Sequence, residues 1–488
     1  MMKAISSFVT LFALFFYGTV VPAAISQPVD TARVHPARDM PPQGGRDGMF
    51  SGDEGMMPED GMRGGRGLGP AGRGRQSSRV TDSAVYISVD TVAVVGKRFV
   101  SDKGDVGAVL CRAGVLTISR CNLMGEGDAA STDDASFYGV NAVLAAQPQP
   151  AGGEAVIFSF HNTIAGSGVG ANGIFAYGRG KITTSGDCIT QTGGNARGIM
   201  CSGGGTVVVS GDTVVTTGGS SSCIATDRGG GSITVNGGVY TCNGFNSAGI
   251  YSTGDITAKD ATFVSNGGEM MVIEGSNHIS VEDCHFTGNK DKWGVLLYQS
   301  FSGDASQGSD ATLSMRGGTL SYKGKHGALF YNTNSADSLF LSGVAINNES
   351  DTLVGCLKGG WGNRATPRSG GRLAMLCEGQ TLEGLIFADK FSTVKMELTE
   401  KSVLTGCVNP GNVAGRASLS LDGSSRWILT NHSHINGTIV LPSQPKKSGT
   451  LRNISGNGYN VFYNVAANPA LGGLAYSLKG GGYLCPEP

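Results

Sequence analysis

GIFAYGRGKITTSGDCITQTGG (173–194), GIMCSGGGTVVVSGDTVVTTGG (198–219) and CIATDRGGGSITVNGGVYTCNG (223–244) carry one ladder of apolar residues at nearly fixed spacing. Each holds three short runs in which apolar and polar residues alternate, with glycine between them. Alternation with period 2 marks a strand. Three strands in a repeat of about 22–26 residues mark one coil of a right-handed parallel β-helix. A single coil leaves its apolar face open above and below, so only stacking buries it.

The ladder can be followed outward from these repeats. Second-strand inward residues are Ile182, Val207, Ile233, Ile256, Ile279 and Leu313. Seven residues later come Ile189, Val214, Tyr240, Phe263, Phe286 and Leu320 in the third strand. The next coils open with Ile199, Ile224, Ile250, Ile273, Val295 and Leu329. Residues between them, such as Lys181, Thr183 and Ser185, are polar or β-branched, as a solvent-facing row requires. The pattern predicts an all-β chain of about twelve to fourteen coils over 83–464, roughly 60 Å long at ~4.8 Å per coil. Insertions fall in the turns at Met124–Tyr138, Gln147–Gly153, Gln299–Asp310 and Gly359–Gly371. The segment 465–488 leaves the repeat and reads as a C-terminal cap or tail, which would protect an open sheet edge.

The N-terminal part reads differently. Residues 1–24 have the form of a secretory signal peptide: Lys3, an apolar run from Phe8 to Val21, and Val21-Pro22-Ala23 before Ala24. Residues 25–82 are rich in Gly, Met and Arg without periodicity, so they are expected to be a disordered linker. These readings predict a secreted or cell-surface protein with no transmembrane segment after signal cleavage. The net charge of −1 gives no attraction for nucleic acid. Collagen is excluded because the 79 glycines have no three-residue period. The eleven cysteines are odd in number and lack C-x-x-C spacing, so they read as small buried thiols.

Motifs such as ITVNGGVYTCNG (233–244), ITAKDATFVSNGG (256–268) and ISVEDCHFTGN (279–289) resemble the pectin-lyase-like β-helix superfamily, including its adhesin-like bacterial surface members. The resemblance covers about four fifths of the chain and implies a fold rather than an activity, since the superfamily holds polysaccharide lyases, glycosidases and adhesins. The asparagine-aspartate, paired-aspartate, glycine-histidine and arginine–lysine motifs of its polygalacturonase-like enzymes are missing. The only adjacent aspartates, Asp133-Asp134, lie in a turn insertion. No C-terminal membrane barrel follows the repeat, so a self-transporting passenger is not expected.

Enzymes of that superfamily use the groove beside one sheet, which here would be the sheet of first strands. Its expected outward rows are Phe175, Met200, Ala225, Tyr251, Glu274, Leu296 and Phe330, then Tyr177, Ser202, Asp227, Thr253, Ser276, Tyr298 and Asn332. Such an aromatic column suits sugar rings; the alternative is that flanking insertions or the N-terminal region cover it. The expected ligand-binding residues are Phe175, Tyr177, Tyr251, Tyr298, Phe330 and Trp361. Trp361 lies on a glycine-rich loop with Lys358, Arg364, Arg368 and Arg372, where it could clamp an acidic glycan or fold back onto the coil. Trp293 and Trp427 are expected to pack at coil corners. Asp227 and Glu274, with Arg228 beside the first, are the only catalytic candidates. They lie two coils apart, roughly 10 Å, at or beyond the ~6.5–9.5 Å of an inverting carboxylate pair. His432-Ser433-His434 offers two imidazoles without a third ligand, so no metal is assigned, and no cofactor is expected. The reading is an exported, adhesin-like interaction protein recognising a glycan or another surface through the first-strand face and the turn insertions. A carbohydrate-active enzyme, lyase or glycoside hydrolase, is the alternative.

Overall fold

A computed structural model describes residues 83–150, 152–305, 308, 310–361, 369–443 and 449–487. The signal-peptide and linker segments, and Arg364 and Arg368, lie outside the described residues. The described chain is a parallel β-solenoid of about 15 turns. Each coil gives one strand to each of three sheets. The first sheet has 12 strands, from Ala84–Ser88 to Leu385–Ala388, and the second has 14, from Val92–Val95 to Ile439–Val440. The third has 10 strands, from Arg98–Ser101 to Ala345–Asn348, and resumes at Thr381–Glu383.

The inward columns of the second and third sheets stack as the spacing requires, whereas in the first Met271 and Phe330 take the places expected for Ile273 and Leu329. Ile182 pairs with Val207, Val207 with Ile233, Ile233 with Ile256, and so on to Leu313. In the third sheet Ile189, Val214, Tyr240, Phe263, Phe286 and Leu320 follow one another on successive coils. All twelve are at most 1% exposed. Stacking like on like removes both flat faces of each side chain from water, worth about 1.5–3 kcal/mol for each fully buried aliphatic or aromatic group.

Two features of the repeat fix its corners. Between second and third strands, the Ser-Gly-Asp triplets at 185–187 and 210–212 place Asp187 and Asp212 above Asn162. The amide of each residue donates to the side chain one coil on: Cys121 to Asn162 at 2.8 Å, Asn162 to Asp187 at 2.6 Å, Asp187 to Asp212 at 2.9 Å. Ser159 and Thr184 hydroxyls donate to the outer carboxylate oxygens. Turn amides that would otherwise be buried without partners are thereby satisfied.

After the third strand, Gly168, Gly193, Gly218, Gly244 and Gly267 form a column. A Cβ on Gly218 would lie 1.8 Å from the carbonyl oxygen of Gly193, and one on Gly244 would lie 1.7 Å from that of Gly218. The recurring glycine of the repeat is thus imposed by the carbonyl of the preceding coil. Gly218→Ala should therefore destabilise the protein by about 1–3 kcal/mol, the cost of overpacking. Chemical denaturation checks this, and an unchanged midpoint would refute the close stacking.

All eleven cysteines are free thiols, nine of them buried. The C-terminal strands Tyr476–Lys479 and Tyr483–Pro486 run parallel to Thr450–Ser455 and Val461–Tyr463 but antiparallel to each other. The last strands of two faces thus pair as a hairpin, while the last strand of the second sheet, Ile439–Val440, lies outside it.

Candidate functional site on the first sheet

Strand pairing sets the outer row of the first sheet as Phe175, Met200, Ala225, Tyr251, Val272, Leu296 and Tyr331. This row differs from the expected one at two places. Glu274 does point outward, but one step further along its strand, opposite Tyr298. Phe330 pairs with Val295 and belongs to the main core, fully buried, so it is no surface aromatic.

The outer face is largely roofed. Its side chains form two apolar clusters separate from the core, one around Phe175 and Met200, the other around Val272, Leu296, Tyr298 and Tyr331. The first is covered by an insertion that folds into a short helix, Thr132–Tyr138, capped by the Ser131 hydroxyl on the Asp134 amide. Gly139 ends the helix at φ +71, where a Cβ would fall 2.5 Å from the Phe175 ring. Only glycine allows both that backbone and that approach. Ser202 donates to the Phe137 carbonyl at 2.7 Å, and the Arg228 guanidinium lies 3.7 Å from the Phe137 ring centroid. Phe175 is buried beneath this roof, and Tyr177, half-buried, meets Tyr138 edge-on at 5.8 Å.

Glu274 is the node of the second region. Tyr251, one coil before, donates to it at 2.6 Å, and Tyr298, one coil after, at 2.9 Å. The Ser300 hydroxyl donates to its other oxygen, and Ser302 reaches that oxygen at 3.4 Å. These bonds tie the 299–305 insertion down onto the sheet. Burial pushes the Glu274 carboxyl up, against the pull of the Ser300, Tyr251 and Tyr298 hydroxyls. Burial and the neighbouring carboxylate keep both tyrosines as phenols.

Asp227 lies two coils away and is 4% exposed. Burial pushes its carboxyl up to about 7, although Arg197, 3.9 Å away, favours the charge. Arg228 does not pair with it through the guanidinium, which reaches Asp304 at 3.8 Å; only the Arg228 amide donates to Asp227, at 2.8 Å. Asp133, on the roofing helix, is raised first by burial and then by the charge of Asp304.

The part of the face left half-exposed is aromatic. Trp293 stacks on Tyr331 with centroids 4.3 Å apart and 13° between planes. Trp361 lies 4.8 Å from Tyr298 and 6.0 Å from Trp293. The Lys292 ammonium sits 4.2 Å from the Trp293 centroid. Trp361 has folded back onto the coil yet keeps an accessible face. Trp293 is no corner filler; it begins the strand Trp293–Tyr298. Trp427 is in the core. His432 and His434 both lie against Phe462; His432 accepts the Asn460 amide, and His434 lies 3.1 Å from Glu487.

Sequence reasoning missed Trp293, Tyr331, Arg197 and Asp304 as members of this face. Trp293 could have been found, because WGVLLY is one continuous strand-forming run. Asp304 sits in a polar loop where nothing marks it from its neighbours. No protein-family model matches the chain, and no curated protein matches it. Among the described residues no helix is long and apolar enough to cross a membrane.

Proposed function

We propose that this chain is an exported β-helix interaction protein, similar to adhesin-like members of the pectin-lyase-like superfamily, that recognises a glycan. The half-exposed Trp293 and Trp361, packed on the buried Tyr331 and Tyr298, carry this reading. Flat aromatic faces held rigid on a sheet offer a large contact area at low ordering cost, which suits stacking of sugar rings. The acids beside it are buried, and Glu274 has its oxygens occupied by hydroxyls, which suits a scaffolding role better than attack on a bound chain. Recognition accordingly shifts from the buried first-strand row to the insertions that roof it.

A glycan-array screen of the full chain tests this. Trp361→Ala and Trp293→Ala should each weaken binding of any hit about tenfold or more, with little change in melting temperature. Retained affinity would remove the cluster from the binding face. A large fall in melting temperature would show the tryptophans to be structural.

One observation favours the carbohydrate-active alternative: a carboxyl near neutrality, Asp227, beside Arg197, the kind of group used as a general acid. Product analysis of each hit decides between the two. Cleavage that vanishes in Asp227→Asn would establish the enzyme.

A further inference from the structure

A second surface, on the third sheet near the C-terminal end, has a different chemistry. A groove of about 510 Å³ is lined by Lys401, Val403, Gly423, Ser424, Arg426, Arg452 and Asn453. That volume is within the range of small-ligand sites. The three cations come from three successive coils: Lys401 precedes the strand Val403–Gly406, Arg426 begins the next, and Arg452 lies in the one after. Rungs are ~4.8 Å apart, so the charges form a short ladder along the rod.

Several cations elsewhere on the rod are matched to acids across rungs. Lys181 meets Glu154 at 2.6 Å, Lys259 meets Glu282 at 2.7 Å, and Lys323 and Lys325 share Glu349. The three groove cations have no such partner among the described residues, and no acid lines the groove. Asp422, which precedes the groove residue Gly423 in the chain, is spent on local order. It accepts the amides of Glu400 at 2.9 Å, Ser424 at 2.9 Å and Ser425 at 2.7 Å. Glu400 precedes Lys401 in the chain, is exposed and is not among the lining residues. The Glu400–Lys401 turn is held with φ +58 and +68 at two consecutive non-glycine residues. The Lys401 amide bonds the Ser424 hydroxyl at 2.8 Å. Strained backbone that the surroundings hold in place is the kind that accompanies binding sites. Asn453 is fixed likewise, its amide donating to the Ser425 carbonyl at 2.9 Å.

We infer that this groove binds an acidic polysaccharide, a chain bearing carboxylate or sulfate groups, through Lys401, Arg426 and Arg452. Guanidinium groups take such anions in paired hydrogen bonds, while Ser424 and Asn453 offer polar groups for sugar hydroxyls. A single-stranded nucleic acid fits less well, because its bases stack on aromatic side chains and the groove has none. The site lies on a different sheet from the aromatic cluster and stands or falls independently of it.

The test is binding of the full chain to polygalacturonate, to heparin and to single-stranded DNA of similar charge, over a salt series. At least one of the two polysaccharides should bind. The R426Q/R452Q variant should lose about tenfold or more of that affinity, with an unchanged melting temperature, since both side chains are exposed. Lys181→Gln, distant and paired with Glu154, should leave binding intact. Preference for carboxylate or sulfate identifies the anion. Absence of binding to either polysaccharide, affinity indifferent to the double variant, or DNA bound as tightly with the same arginine dependence would each overturn the inference.

Discussion

Phe263→Asp should abolish the cooperative fold at ambient temperature or lower its stability by several kcal/mol. Phe263 is fully buried between two rings of its own column, with Tyr240 at 4.6 Å and Phe286 at 4.7 Å, nearly coplanar with the latter at 5°. Removing a buried phenylalanine costs about 3–5 kcal/mol, and a carboxyl without a partner in the stack adds its own desolvation. Because each coil is supported only by its neighbours, the loss is felt along the ladder. Thr257→Asp is the control: Thr257 faces solvent on the second sheet of the same coil, and the change should stay within about 0.5 kcal/mol. Urea denaturation followed by circular dichroism measures both. If the two variants unfold alike, the inward register is wrong.

Stability should fall as pH rises from 5 to 8, the reverse of what ion-paired surface carboxylates would give. Asp212, Asp227 and Asp337 are buried, and burial pushes each up to about 7 from an ordinary 3.8. Asp187 and Glu274 move the same way for the same first reason. A raised acid binds its proton more tightly in the folded chain than in the unfolded one. Between the two pKa values the unfolded chain releases protons that the folded chain keeps, so raising the pH through that window favours unfolding. The stabilisation is full below about pH 4 and is lost as pH passes about 7. Each group is worth up to a few kcal/mol by this linkage. Glu349, held down to about 2 by Lys325 and then Lys323, acts in the opposite sense, but it lies on the surface, where water and salt screen the pairs. Melting temperature should therefore be several degrees higher at pH 5 than at pH 8. Asp212→Asn, which keeps the acceptor for the Asp187 amide without an ionisable proton, should raise stability at pH 8 and flatten the profile. A melting temperature flat or rising across this window would show these aspartates to be ionised in the fold.

The inward columns were legible because one face of the second and third sheets meets water. Where solvent wets the alternate residues, as at Lys181, Thr183 and Ser185, the period-2 signal sets the phase. The first sheet has no such contrast. Ala328–Thr333 is buried at all six positions and Gly107–Cys111 at all five, because the insertions cover the outer side. With both faces dry the alternation vanishes, and Phe330 slipped from the core to the expected surface row. Asp227, Glu274 and Arg228 were placed on the correct face by counting coils. Their partners were not, because Asp304 and Ser300 reach them from a loop whose path no periodicity describes. The roofing helix did leave a trace: Ser131, followed by Asp133 and Asp134, is an N-cap with acids in the first turn. Its reading as a plain turn insertion passed over that signal.

The hairpin that joins Tyr476–Lys479 to Tyr483–Pro486 gives the rod a direction for assembly. A stack of parallel strands is a template that another chain can extend, but here two of the three faces at one end have been turned back on each other. The strands Ala84–Ser88, Val92–Val95 and Arg98–Ser101 remain the outermost rungs at the other end among the described residues. Filaments need two complementary ends so that each copy can pass the contact on. Copies of this rod cannot extend one another's sheets through the paired hairpin strands, so at that end edge pairing is left to the two-residue strand Ile439–Val440.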